Sequence, residues 1–332
     1  MTETNLVTGG AGFIGSHVVR ELLTRGRKVV ILDDLSGGFR ANVPAGVELI
    51  EGSILDAPLI DKLFQTYRFR NVYHLAAYAA EGLSHFIKRF NYQNNIVGSV
   101  NLINAAVNYG IECFVFTSSI AVYGPGQVPM TEDLVVQPED SYGIAKYAVE
   151  QELACSHRMF GLNFVIFRPH NVYGEYQNIG DKYRNVIGIF MNQIMKGEPL
   201  TIFGDGTQTR AFSYVKEISG IIADSAAVKD AYGQIFNIGA ETPYTVTDLA
   251  REVCAVFGVE PVIKYLEARK EVKHAFSSSE KVRRVFGGVP TYTLRQGLEL
   301  MAAWAKAEGP RATTPFAEIE IEKNLPPSWS TK

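Results

Sequence analysis

A chain of 332 residues with a net charge of −3, 46% hydrophobic and 20% charged residues can bury one large core or two modest ones. With no long Lys/Arg run and no uninterrupted apolar stretch of spanning length, neither nucleic acid nor a membrane is an expected partner. Cys113, Cys155 and Cys254 are scattered and odd in number, which excludes a metal spacing or a disulfide framework and suits reduced thiols in the cytoplasm; MTETNLVTGG lacks the features of a signal peptide.

In chain order, NLVTG (5–9) reads as a short strand ending in glycines. SHVVRELLTRG (16–26) follows with Val18, Val19, Leu22 and Leu23 at helical spacing and Gly26 as a stop. KVVILDD (28–34) and VELIEGS (47–53) predict strands, APLIDKLFQTY (57–67) a helix and NVYHLAA (71–77) a strand. A long helical stretch is expected from about Phe86 to Asn108, then a strand at CFVFTSS (113–119), a helix over 141–160 and a strand at NFVIFRPH (163–170). This alternation predicts an α/β protein with a Rossmann-type, doubly wound parallel sheet.

Beyond Asn171 the pattern is mixed. Short strand signals (PLTIFG, RAFSYV, QIFNIG, PVIKYLEA) alternate with helical ones near 186–196, 216–228, 246–257, 279–285 and 294–306. We expect a dinucleotide-binding domain over 1–170, to which later segments return, and a smaller mixed α/β substrate domain over 171–332. The tail 309–332, with four prolines and the run EIEIEK, reads as a surface segment or docked arm.

TGGAGFIGS (8–16) holds Gly10, Gly12 and Gly15 in the spacing G-x-G-x-x-G, and Gly9 adds a second frame. Between a strand and an amphipathic helix, such glycines allow a tight turn and close approach of backbone to a pyrophosphate, whose charge meets the helix N-terminus. Asp33, 18 residues past Gly15, can accept hydrogen bonds from the adenosine ribose and repel a 2′-phosphate, and Asp34 adds to that charge, so NAD is expected rather than NADP. Tyr142 and Lys146 fall one turn apart behind Asp140 and Ser141, on one face of the predicted helix. Tyr-x3-Lys is common by chance, so that pair means little alone.

With TSSIAVYG (117–124) and YGIAK (142–146) added, the chain resembles the extended short-chain dehydrogenase/reductase family. Within its nucleotide-sugar branch the likeness is greatest to the UDP-glucose (UDP-galactose) 4-epimerases. The resemblance runs from Asn5 to about Glu308 through TGGAGFIG, DDLSGG, HLAA, NNIVGS, SSIAVYG, SYGIAK, RPHNVYG and FGDGTQTRAFSYV. It implies that Tyr142 is the acid/base, Lys146 its tuner and a ligand of the nicotinamide ribose, and Ser119 the relay on the substrate hydroxyl. A phenol ionises near pH 10, and nearby positive charge is expected to lower that value toward working pH. The cofactor-binding set it implies adds Gly9, Gly12, Phe13, Ile14 and Gly15 at the pyrophosphate, and Asp33, Asp34, Ser36, Ser53 and Ile54 toward adenosine. Leu75, Ala76 and Ala77 would line the cleft, Asn95 would stand behind the site and Pro169 would flank the nicotinamide. Asn171, Asn185, Arg210 and Arg269 match positions that meet the substrate's nucleoside or diphosphate.

Three departures qualify the resemblance. Ser53 replaces the usual Asp near adenine, and Ala211 replaces a carboxylate after Arg210. Ile120 and Ala121 stand where dehydratases of the branch carry Asp-Glu, which disfavours dehydration and, with it, decarboxylation. The implied reaction is inversion at C4 of a UDP-hexose through a transient 4-keto sugar. A UDP-glucuronate 4-epimerase shares the same triad and stays open, and a non-catalytic NAD-binding regulator is disfavoured because the triad is complete. His74 and His85 are expected to be structural. A homodimer is expected through the helices near 86–108 and 141–160.

Overall fold

The structure, a computed structural model, describes residues 3–269, 272–288, 290–313 and 315–329. Strands β1 (Thr4–Thr8), β2 (Lys28–Asp33), β3 (Glu48–Glu51), β4 (Asn71–His74), β5 (Cys113–Thr117), β6 (Phe164–Pro169) and β7 (Gln234–Ile238) form one parallel sheet in the order β7-β6-β5-β4-β1-β2-β3. Its central strands are apolar on both faces, because helices cover both. Helices α1 (Phe13–Thr24), α2 (Ala57–Tyr67), α3 (Glu81–Ser84), α4 (Lys88–Tyr92), α5 (Gly98–Tyr109), α6 (Ser141–Phe160) and α7 (Val186–Lys196) follow in chain order. On one face Phe64 of α2, Leu102 of α5 and Leu153 of α6 pack on Leu6, Leu32 and Phe116. On the other, Val18 and Leu22 of α1 join Ile218 and Ile222 of the helix Lys216–Asp224 against Val7 and Ile31.

The strand order reverses between β1 and β4, which opens a crevice at their carboxyl ends. Ligands of open α/β sheets bind there. β7, from the signal QIFNIG, pairs with β6 from Gln234↔Val165 to Ile238↔Pro169, so the chain leaves the sheet after β6 and later returns to complete its edge.

The helical stretch expected over 86–108 runs unbroken from Lys88 to Tyr109 as α4, a π turn over Gln93–Val97, and α5. π turns are uncommon inside helices and favour functional sites. Here the turn buries Asn95, whose side chain accepts from the Tyr78 amide (2.9 Å) and donates to the Tyr78 carbonyl (3.1 Å) and to Asn91 Oδ1 (2.8 Å). Helical periodicity alone carries no signal for the extra residue.

The second lobe collects α7, helices Val246–Phe257 and Leu294–Glu308, and short strand pairs (Leu200–Phe203 with Ile263–Leu266, Thr209–Ala211 with Pro243–Thr245 and His274–Ala275) around Tyr173, Phe190, Leu249 and Leu298. The predicted tail docks as an arm, with Phe316, Ile319, Leu325 and Trp329 packed on Tyr78, Phe86 and Phe90; Thr314 and residues 330–332 of that tail lie outside the described residues. Among the described residues no helix is long and apolar enough to cross a membrane.

Candidate active site

The glycine-rich turn is tight for identifiable reasons. Gly9 has φ +71°, and a Cβ there would stand 2.7 Å from the Ala76 amide nitrogen, so the turns after β1 and β4 meet backbone to backbone. A Cβ on Gly15 would lie 2.0 Å from the Gly9 carbonyl oxygen, so only glycine lets α1 begin so close to the turn. Gly9, Gly12, Phe13, Ile14 and Gly15 line the cleft on one side of the crevice, and Leu75, Ala76 and Ala77 line it on the other. The groove is narrow and lined by backbone, with the α1 N-terminus opening into it, which fits a dinucleotide.

At the end of β2, Asp33 is buried but reaches the cleft. Its oxygens accept from Ala11 N (2.9 Å) and Leu35 N (2.8 Å). Burial pushes its carboxyl upward, against the pull of those backbone donors. Asp34, Ser36 and Ile54 also line the cleft. Two predicted contacts are placed differently. Ser53 does not reach the wall formed by Gly52 and Ile54; its Oγ accepts from Leu55 N (3.1 Å), because a short hydroxyl closes its own turn where a longer carboxylate would extend. Asn95 is walled off inside the π turn and acts by fixing Tyr78.

A buried line of hydrogen bonds braces the crevice from behind. Ser99 Oγ donates to the Asn95 carbonyl (2.7 Å), and His74 sits between Ser99 Oγ (2.8 Å, at Nε2) and Thr8 Oγ1 (2.7 Å, at Nδ1). Since the Ser99 proton is committed, Nε2 of His74 carries the ring proton. Burial, with the charge of Lys146 added, pushes the His74 pKa down to about 3, so it is a neutral brace. His170 is likewise held neutral by burial, at about 4, beside the Ala240 carbonyl.

Asp140 caps α6 by accepting from Gly143 N (2.8 Å), which sets Tyr142 in the first turn and Lys146 one turn later. Ser119 follows β5 and accepts from Ala121 N (3.1 Å). All three line the cleft, as does Pro169 at the end of β6. The Lys146 ammonium donates to the Thr117 carbonyl (2.7 Å), lies 4.7 Å from the Phe116 ring centroid and 5.7 Å from that of Tyr142. Burial drives its pKa down to about 7, although Glu150 pulls upward. Glu150 is itself locked to buried Arg168 (2.9 Å and 2.5 Å).

The phenol departs from expectation. Burial raises the Tyr142 pKa, the charge of Glu81 raises it further, and the Ser119 hydroxyl and Arg184 pull it back. In the chain by itself burial is the largest influence on the phenol. Glu81 and Arg184 are functional candidates that sequence reasoning missed. Arg184 pairs with Asp181 (2.9 Å) and lies 4.5 Å from the Tyr78 ring. The available hint was the neighbouring motif asparagine, Asn185.

On the opposite wall, Asn171, Asn185, Arg210 and Arg269 all reach the cleft. Asn171 adopts φ +40° and donates to the Ala211 carbonyl (3.2 Å). Asn185 caps α7 by accepting from Ile187 N (3.0 Å) and donates to the Val172 carbonyl. Arg210 donates to the carbonyls of Thr209 (2.9 Å) and Lys273 (3.0 Å), and Arg269 lies over the Phe203 ring at 4.0 Å.

Residues 5–239 match the NAD-dependent epimerase/dehydratase family. The chain belongs to that family. It is 32% identical over 323 residues to a UDP-glucose 4-epimerase of Corynebacterium glutamicum, covering 92% of this chain and 97% of that protein. The crystal structure of the Thermotoga maritima UDP-glucose 4-epimerase with UDP-glucose superposes with a TM-score of 0.86 at 33% identity, over 92% of this chain and 99% of the other. The UDP-glucuronic acid 4-epimerase of Bacillus cereus, solved with UDP-glucuronic acid and NAD, gives 0.84 at 29% over 92% and 99%. NAD is the cofactor of this epimerase family, and the backbone-lined groove fits it.

Proposed function

We propose that the protein inverts C4 of a UDP-hexose, interconverting UDP-glucose and UDP-galactose. The observation that carries this is the convergence of Ser119, Tyr142 and Lys146 on one cleft, next to Ile120 and Ala121, which cannot move protons. Tyr142 takes the proton of the sugar O4 as phenolate, directly or through Ser119 Oγ, and returns it to the opposite epimer. NAD, when bound, would supply an acceptor for the C4 hydrogen with its electron pair and a positive ring beside the phenol, whose pKa burial raises. Lys146 holds the Tyr142 end of the site through Thr117 and donates to ribose hydroxyls. Asn171, Asn185, Arg210 and Arg269 hold the nucleotide. The cofactor domain is 1–170 with β7 added, and the substrate domain is mainly 171–332.

A proton NMR screen tests the reading. UDP-glucose should convert to UDP-galactose without added NAD and without loss of water, and deuterium from solvent should not enter carbon. A 4-keto-6-deoxy product, or deuterium at C5, overturns it. The similarity to the B. cereus enzyme favours a second reading, in which UDP-glucuronate is the substrate; turnover of that sugar alone in the same screen selects it. We also propose a cytoplasmic homodimer acting in carbohydrate metabolism. The exposed Val97 and Ile144, beside α5 and on α6, support the pairing surface, and the three free cysteines suit a reducing compartment.

A further inference from the structure

The arm after the last long helix reaches into the substrate cleft, where Lys323, Asn324, Leu325 and Trp329 line the wall. It is pinned to the first lobe at few points. The Glu320 carboxylate accepts from Arg89 N and Phe90 N (both 2.9 Å), its amide donates to the Phe86 carbonyl (2.8 Å), and the Phe316 ring packs on Phe90 and Tyr78 (5.0 Å and 5.3 Å between centroids). Trp329 is buried at the end of this strap. Its ring meets Tyr183 edge-on at 5.3 Å, and the Arg269 guanidinium lies 5.4 Å from its centroid while covering Phe203.

Gly82 of α3, on the facing wall, explains how the two sides close. A Cβ there would lie 3.0 Å from Trp329 and 3.7 Å from Arg269 Nη1. The arm therefore bridges both lobes over the substrate end of the cleft.

We propose that this arm is the roof of the nucleotide-sugar pocket, and that Trp329 is a positioning residue that braces Arg269 against the substrate diphosphate. The inference rests on the nucleotide-sugar reading above. The Phe203 and Trp329 rings meet edge to face at 6.4 Å, and a guanidinium set in the corner they form is held in place for two phosphate oxygens. The roof also holds the oxidised sugar until C4 is reduced again, and it must lift for the sugar nucleotide to pass.

The test uses the full, NAD-loaded chain with UDP as probe. Trp329→Ala should weaken UDP binding in calorimetry about tenfold, the scale of one desolvated cation–π contact. It should raise KM for the UDP-sugar in parallel, with a smaller change in kcat; because the ring is buried the melting temperature should fall as well, so binding is compared in protein shown to be folded and loaded with NAD. Glu320→Ala, which loosens the strap away from the cleft, should shift KM in the same direction by less. With a loosened roof some sugar leaves as ketone, with its two electrons left on the cofactor, so reduced-nicotinamide fluorescence should accumulate over repeated turnover. UDP affinity and KM unchanged in both variants overturn the proposal, as does a fall in kcat alone. If Trp329→Ala unfolds, an unchanged KM in Glu320→Ala overturns it. Wild-type protein that binds no UDP sinks the nucleotide-sugar reading first, and this inference with it.

Discussion

The two walls of the cleft are built by different means. The cofactor wall is backbone. Its shape comes from missing side chains at Gly9 and Gly15 and from the meeting of two strand ends. The wall assigned to the substrate is side chains from loops and from the strand Thr209–Ala211, each partly spent on local structure, as Asn185 is on capping α7 and Arg210 on carbonyls. A backbone wall has no slack, so a change there is close to all-or-none. A wall of side chains can repack, so its losses should be graded.

The sharpest way to set a third behaviour beside these two is Tyr142→Phe, which keeps the ring and removes the proton carrier. Turnover should fall by roughly two to four orders of magnitude with NAD and UDP still bound; near-full activity in folded protein would refute the assignment. Gly15→Ala probes the wall without slack. The added Cβ meets the Gly9 carbonyl, so the purified protein should carry little NAD by absorbance and melt lower; full NAD occupancy would show that the turn can give. Asp33→Ala should be milder, with NAD loosened on the order of tenfold by loss of ribose hydrogen bonds and the discrimination against NADP relaxed. Calorimetry on stripped protein checks it, and equal affinity of the unaltered protein for both cofactors would sink the role. Arg210→Lys, on the side-chain wall, should raise KM by roughly tenfold or less, because the ammonium keeps charge but loses the fork.

The smallest expected effect is in stability. Lys146 titrates near 7 when folded and near 10.5 when unfolded, so between those values the unfolded chain binds the extra proton. Stability therefore rises with pH across that window and carries the full burial penalty below it. Denaturant midpoints of stripped protein should climb from neutral pH upward, and Lys146→Met should flatten that slope. An unchanged slope in the variant would mean that the lysine is charged at neutral pH.

The same contrast explains what was legible. α2 and α6 fall where capping residues and apolar spacing put them, at Asp56 and Asp140. The glycine turn is readable because a missing side chain is written at one position. The resemblance implies cofactor contacts for Asn95 and Ser53, yet one is buried in a π turn and the other closes its own turn, and neither fate alters the apolar pattern. Glu81 and Arg184 sit beside Tyr142 only because α3 and the loop before α7 converge there, and such convergence has no local signal. The arm is legible as prolines and the EIEIEK run, but its destination is tertiary.

β7 completes the sheet only after the whole first part of the second lobe has been traversed. On the ribosome, β6 emerges with a free edge, a row of unpaired amides and carbonyls that invites pairing with a neighbouring chain. That edge waits until Gln234–Ile238 has been synthesised. A fragment cut after Asn171 would keep the cofactor turn and the triad but carry the raw edge permanently, so it should aggregate, and adding back the missing strand in trans should rescue it.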